Sequence, residues 1–237
     1  MAAVQLARLA GECLFLTALG DDELGRNAAR KLSELGVSVE AAWRAEPQRR
    51  AFVHVDRDGE RTITVIGARL GPRGDDAVPW SELADCDAVY FTAGDAGAVH
   101  EARRAGTVVG SARGKDVLAE AAVELDVLVA SATDEGEQVA SGELDPPPRF
   151  VALTDGPRGG ELIAAEGSRR RWDPAPLPGP VVDAYGAGDS FAAGLTFGLA
   201  LGLPISEALD IGARCGAICM TGRGPYGRRL TAVEAGA

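Results

Sequence analysis

The sequence predicts an α/β protein of three layers, with helices on both faces of a mostly parallel central sheet. Two observations carry that expectation. Between about residue 80 and residue 165, short apolar runs alternate with helical stretches, the pattern of strands joined by crossover helices. Beyond them, Phe191–Leu201 is apolar on every side, as a helix buried inside a domain must be. The chain has 237 residues, enough for one such domain and too few for two comfortable ones, so residues 1–237 are read as a single unit.

Taken in order, Ala2–Ala10 reads as a helix by propensity and spacing, and Cys13–Leu19 as a strand. Asp21 or Asp22 then caps a helix whose apolar stripe is Leu24, Ala28, Leu32 and Leu35, ended by Gly36. Residues 39–66 change character. Val39–Trp43, Ala51–Val55 and Arg61–Ile66 read as strands, and Arg57-Asp58-Gly59-Glu60 joins the last two as a hairpin. Strands follow at Asp87–Thr92, Thr107–Gly110, Asp126–Ala130 and Phe150–Thr154, with helices at Ala96–Ala105 and Lys115–Glu124. The proline-rich stretches 143–148 and 173–180 are rigid loops, because alternation resumes after each. Ser206–Thr221 forms the last helix.

Composition narrows the function classes. Thirty-five acidic residues against 24 basic ones give a net charge of −11, which disfavours nucleic-acid and anionic-membrane partners. No apolar run reaches the length of a membrane span. Cys13, Cys86, Cys215 and Cys219 form no Cys-x-x-Cys pair, so a zinc ribbon is disfavoured and a reducing cytoplasm is the expected home. His54 lies in the hairpin and is assigned no chemistry. Gly110-Ser111-Ala112-Arg113-Gly114-Lys115 falls one residue short of a phosphate-binding P-loop.

Chemistry concentrates in Asp183-Ala184-Tyr185-Gly186-Ala187-Gly188-Asp189-Ser190-Phe191, directly before the apolar helix. Glycines let the backbone turn sharply and approach a ligand. The first N–H groups of a helix have no internal partner, and the dipole adds positive charge, so the place suits phosphate. Asp189, beside that positive end, has the chemistry of a base for a hydroxyl that attacks phosphorus. The same residues serve equally well as a helix cap and a turn.

Asp183-x-x-Gly186-Ala187-Gly188-Asp189 also resembles the C-terminal signature of the ribokinase-like (PfkB) carbohydrate kinase family. The resemblance implies a ribokinase-like fold and an ATP- and Mg²⁺-dependent transfer of phosphate to a hydroxyl of a sugar or nucleoside-like small molecule. It implies Asp189 as catalytic base, the amides of Gly186, Ala187 and Gly188 as anion hole, and Asp183 as an organiser of the phosphate and cation region. Gly20, Asp22 and Gly25 fit an early Gly-x-Asp-x-x-Gly segment of the family, and Thr154 and Gly156 fit a Thr-x-Gly-x-x-Gly loop along the nucleotide. Gly216 falls on the segment flanking adenine, and Gly222–Tyr226 on a loop that contributes to a monovalent-cation site. Residues 39–66 take the place of a β-lid that covers the sugar and forms a homodimer interface.

The chain departs from the family pattern at three places. Ala184 stands where Thr or Ser is usual. The family's Asn-x-x-Glu is missing, since Asn27 is the one asparagine; the matching stretch is Ala130–Glu137, where Glu135 or Glu137 keeps the metal contact. The family also has a strand with a sugar-binding Asp and a Gly-Gly segment ahead of the first helix. Met1 already stands at that helix, and the expectation is a misplaced start or a fragment. A non-catalytic or truncated nucleotide- or sugar-binding relative is therefore the alternative function.

Overall fold

The structure, a computed structural model, describes residues 1–55, 61–140, 142–224 and 226–236. In chain order the elements are α1 (Ala2–Ala10), β1 (Leu14–Gly20), α2 (Glu23–Glu34), β2 (Ser38–Arg44), β3 (Arg50–Val55), β4 (Arg61–Ile66), β5 (Ala88–Phe91), α3 (Ala96–Ala102), β6 (Thr107–Ser111), α4 (Lys115–Ala121), β7 (Val127–Ser131), β8 (Phe150–Thr154), β9 (Gly160–Ala164), β10 (Arg169–Trp172), α5 (Ala187–Ala200), α6 (Ile205–Met220) and α7 (Ala232–Ala235).

A six-stranded sheet in the order β10-β9-β8-β7-β6-β5 forms the centre. β5 to β8 run parallel; β9 and β10 return antiparallel. Strand alternation sends neighbouring side chains to opposite faces. Val108, Leu128 and Ala130 meet Val99 and Ala102 of α3 and Leu118 and Ala121 of α4. Val109, Val127, Val129 and Ala152 meet Phe191 and Leu195 of α5 and Ala208 and Leu209 of α6. The three expected layers are therefore present, and α1 packs on the outside of α5 and α6 through Leu9.

Several expectations need correction. The sheet comes in two pieces: β1 pairs in parallel only with β2, apart from the six strands. Val39–Trp43, read as part of the lid, belongs to β2, which leaves β3 and β4 as an antiparallel pair of their own. Their Asp58-Gly59 connection lies outside the described residues. Apolar runs report burial, whereas pairing depends on which distant strand lies alongside. α3 stops at Ala102, and α4 stops at Ala121 because Ala122 turns left-handed at φ 50°. Strands β9 and β10 go unseen in the sequence because Arg169-Arg170-Arg171 reads as a solvated charge run. Asp22 is the cap of α2: its carboxylate accepts from Gly25 N at 2.9 Å and also from Gln48 N at 2.9 Å.

The crossing of α5 over α6 is unusually close. A Cβ on Gly194 would stand 2.7 Å from Cys215 Sγ and 2.9 Å from Gly212 Cα; one on Gly198 would stand 2.7 Å from Ala208 Cα. Small residues on both helices let the backbones approach, and this fixes the direction in which the N-terminus of α5 points.

At the amino end of β7, Asp126 joins three elements. Its carboxylate accepts from Val108 N at 2.9 Å, Arg103 Nη1 at 2.7 Å and Arg149 Nη1 at 3.2 Å. Burial opposes its ionisation, but the Val108 N–H and the two guanidinium groups outweigh that and hold its pKa below the ordinary value. A depressed carboxyl contributes stability that is present above the unfolded value of about 3.9 and is lost as pH falls through the lower folded value. Urea unfolding between pH 6 and pH 3 should show stability falling below about pH 4, with a shallower fall in Asp126→Asn.

Candidate active site

The N-terminus of α5 is built around Gly186, the cap residue, at φ 88° and ψ 6°. This left-handed conformation suits glycine, and it turns the incoming chain into the helix. Ala187 N donates to Ala184 O at 3.2 Å, so that anion-hole amide is engaged in a turn. Ser190 closes the first turn: its N–H donates to Gly186 O at 2.9 Å and its hydroxyl to the same oxygen at 2.7 Å. No heavy atom lies within 4 Å of the position a Cβ on Gly188 would take, so the loop is open on that side. Asp189, half-buried, stands in this first turn.

Asp183 braces the loop from behind. Its carboxylate accepts from Tyr185 N at 2.9 Å and from Gly224 N at 3.1 Å, tying the signature to the turn after α6. Val182 N and Asp183 N both donate to Met220 O.

Asp189 has neighbours from the carboxyl ends of the strands, where ligands bind in sheets of this kind. The Tyr90 hydroxyl of β5 is pushed well above its usual pKa, first by burial and then by the Asp189 charge, with a hydrogen bond to Ser111 of β6 opposing. Arg113, just past β6, is raised by its hydrogen bond to Glu137, with further help from Asp134 and Asp189. It forms ion pairs with Glu137 and, at 3.3 Å, with Asp134. Farther out, a polar hollow of about 200 Å³ at the end of β5 is lined by Arg44, Glu46, Arg69, Arg73 and Asp95.

The structure therefore brings Gly186, Ala187, Gly188, Asp189 and Glu137 into one neighbourhood. Thr154 sits at the end of β8, its hydroxyl donating to Ala130 O at 3.1 Å and its carbonyl accepting from Ala132 N at 2.8 Å. Gly156, at φ 54°, opens the following turn with free space where a Cβ would be. Gly216 is different. It is buried on α6, and a Cβ there would stand 3.3 Å from Ala187 O, so it packs α6 under the loop rather than facing a ligand. Glu135 is exposed in the short turn 135–137.

Among the described residues no group of three or more His, Cys, Asp or Glu side chains is placed to hold a metal ion. Glu137 is a half-buried carboxylate already paired with Arg113. The donor set fits a hard cation that arrives on phosphate and keeps its own waters, not a protein-caged one.

Four residues of this neighbourhood escape sequence reasoning: Tyr90, Ser111, Arg113 and Arg229. The first three sit at or just past strand ends, a position that is a signal in itself. Arg229 has no such mark: it follows a glycine-rich turn next to another arginine and reads as surface charge. It is in fact 9% exposed, and one nitrogen donates to Ser190 Oγ.

Comparison with known proteins identifies the family and the fold. The family model for the pfkB family carbohydrate kinases matches residues 2–133 and 116–231. The ATP-dependent ribose-1-phosphate kinase of Halopiger xanaduensis is 30% identical over 241 aligned residues, which cover 91% of this chain and 77% of that protein. A shorter match, 42% identical over 74 residues, links 31% of this chain to 25% of the acarbose 7(IV)-phosphotransferase of Actinoplanes sp.. In three dimensions the chain is similar to the Arabidopsis thaliana ribokinase solved with ribose and ATP. The TM-score is 0.78 at 20% identity, over 99% of this chain and 84% of that one. With the family model spanning almost its whole length and the Asp183–Asp189 signature folded at the head of α5, the chain belongs to the pfkB family of carbohydrate kinases.

Proposed function

We propose that this protein transfers the γ-phosphoryl group of ATP to a hydroxyl of a sugar or sugar-like small molecule. The observation that carries the reading is Asp189 in the first turn of α5, beside an open glycine loop at the positive end of a buried helix. Asp189 takes the proton of the substrate hydroxyl. The freed oxygen forms a bond to the γ-phosphorus, the bond from phosphorus to the bridging oxygen breaks, and ADP leaves. The amides at the head of α5 face the charge that spreads over the phosphoryl oxygens. Thr154 and Gly156 stand along the nucleotide, and Asp183 keeps the loop in place. Magnesium would neutralise phosphate charge, and Glu137 is the protein carboxylate that would hold it. A monovalent cation would lie beside Gly224, whose N–H Asp183 holds.

The names of the two relatives, a ribose-1-phosphate kinase and an acarbose phosphotransferase, support a carbohydrate-like acceptor. The polar hollow beside β5 suits a polyhydroxylated molecule. Phe52, Val53, Ile63 and Val65 are exposed on β3 and β4, which supports the lid as a homodimer surface. Four free cysteines support a reducing, cytoplasmic setting, and no helix of the described residues is long and apolar enough to cross a membrane.

Melting with and without Mg·ATP tests the nucleotide half. At a hundredfold excess over Kd, binding adds about 2.7 kcal/mol, which for a chain of this size raises Tm by about 5–10 °C. ADP release over a panel of sugars and sugar phosphates then tests transfer. Absence of any shift would remove ATP from the reading.

A further inference from the structure

Arg229 is a buried cation beside the α5 loop, and two of its nitrogens are left unsatisfied among the described residues. Its residue is 9% exposed. Nη1 donates to Ser190 Oγ. Nε and Nη2 are buried and have no hydrogen-bond partner among the described residues. The guanidinium lies 6.0 Å from the Tyr226 ring centroid, and Nη2 is 3.8 Å from the point where a Cβ on Gly186 would be. No carboxylate forms an ion pair with it among the described residues.

Leaving a guanidinium buried with open donors is costly, and such groups are normally paired. One of the orphan donors, Nη2, stands beside Gly186, at the head of the 14-residue α5 whose dipole also favours negative charge. Two independent features of one loop thus await the same kind of ligand. Ser190 fixes the direction of the fork, because its hydroxyl receives Arg229 Nη1 and in turn donates to Gly186 O.

We propose that Arg229 is a phosphate-binding residue: its free N–H groups hold a non-bridging oxygen of the transferring phosphoryl group at the head of α5. The proposal rests on the kinase reading and adds to it a fixed charge from the C-terminal segment. A guanidinium presents a planar fork to phosphate oxygens and stays charged at all working pH values. Because the contact is to the group that leaves with the acceptor, it distinguishes ATP from ADP.

Calorimetric titration of the whole chain with Mg·ATP and with Mg·ADP tests this. Arg229→Met should weaken ATP binding by about 10- to 100-fold, the worth of a hydrogen bond to a charged group, and leave ADP binding unchanged. Arg229→Lys should recover part of the loss. A purely structural role would weaken both nucleotides together and leave their ratio unmoved. Ser190→Ala covers the case in which Arg229→Met does not fold: it frees the fork from its anchor and should lower the ATP-to-ADP affinity ratio by about three- to tenfold. An unchanged ratio in whichever of these variants folds overturns the role of Arg229 and leaves the kinase reading standing. A wild-type chain that binds neither nucleotide overturns both.

Discussion

Asp189→Asn lowers the rate of phosphoryl transfer by about 10²- to 10⁴-fold, the usual worth of a positioned general base, and leaves Mg·ATP binding unchanged. Asparagine has the shape of aspartate and the same reach toward solvent, but its amide takes up no proton at neutral pH. Asp189 makes no capping hydrogen bond in the first turn of α5, whose cap is Gly186, so the helix and the glycine loop stay as they are. ADP release with a competent acceptor reports the rate, and calorimetry reports the affinity. The two readouts separate a lost base from a lost loop: collapse of both would mean that Asp189 holds the structure together, and transfer at an undiminished rate would mean that another group takes the proton. Tyr90 is the neighbour to test in that event, although its raised pKa makes it a poor base at neutral pH.

The site was partly legible in the sequence for a physical reason. A left-handed turn that must be glycine, followed by a carboxylate and then by a helix apolar on all sides, leaves little freedom in how Gly186, Asp189 and Phe191–Gly198 are arranged. The Asp22 cap was legible on the same grounds. Sheet composition was less so: strands β5 to β8 announced themselves by continuous apolar runs, while β10 hid behind three arginines that are all exposed. The division between the β1-β2 pair and the six-stranded sheet depends on alignment between distant segments, which local pattern does not encode. The close approach of Gly216 to Ala187 O was not legible, because a glycine required for helix contact and a glycine required for ligand access look alike in one sequence. Arg229 misled because nothing local tells a buried guanidinium from a solvated one.

Gly194→Val destabilises the chain by about 3 kcal/mol, at the upper end of what overpacking a core costs, and should be read as a fall in the urea midpoint at constant slope. The first carbon of the new side chain already falls 2.7 Å from Cys215 Sγ and 2.9 Å from both Gly212 Cα and Ile211 O. Two of these three atoms are backbone and give way only if α6 moves. Valine also loses helix propensity that alanine would gain. Gly188→Val makes the useful contrast, because nothing lies within 4 Å of its Cβ position: the loss there should appear in phosphate binding far more than in stability.

Among the described residues β3 and β4 form sheet pairs only with each other, and a two-stranded ribbon standing alone in water is barely stable. Its amides should therefore exchange with solvent deuterium through small local openings, long before those of α5, which lies in the core and exchanges only when the whole domain opens. The protein thus carries two clocks. The element that holds Asp189 keeps time with global unfolding, and the element that would close over an acceptor keeps time with its own fraying. Part of the intrinsic affinity for an acceptor is consequently spent in ordering the ribbon. A slowing of exchange confined to residues 50–54 and 62–66 would identify a true acceptor even before any phosphate is transferred.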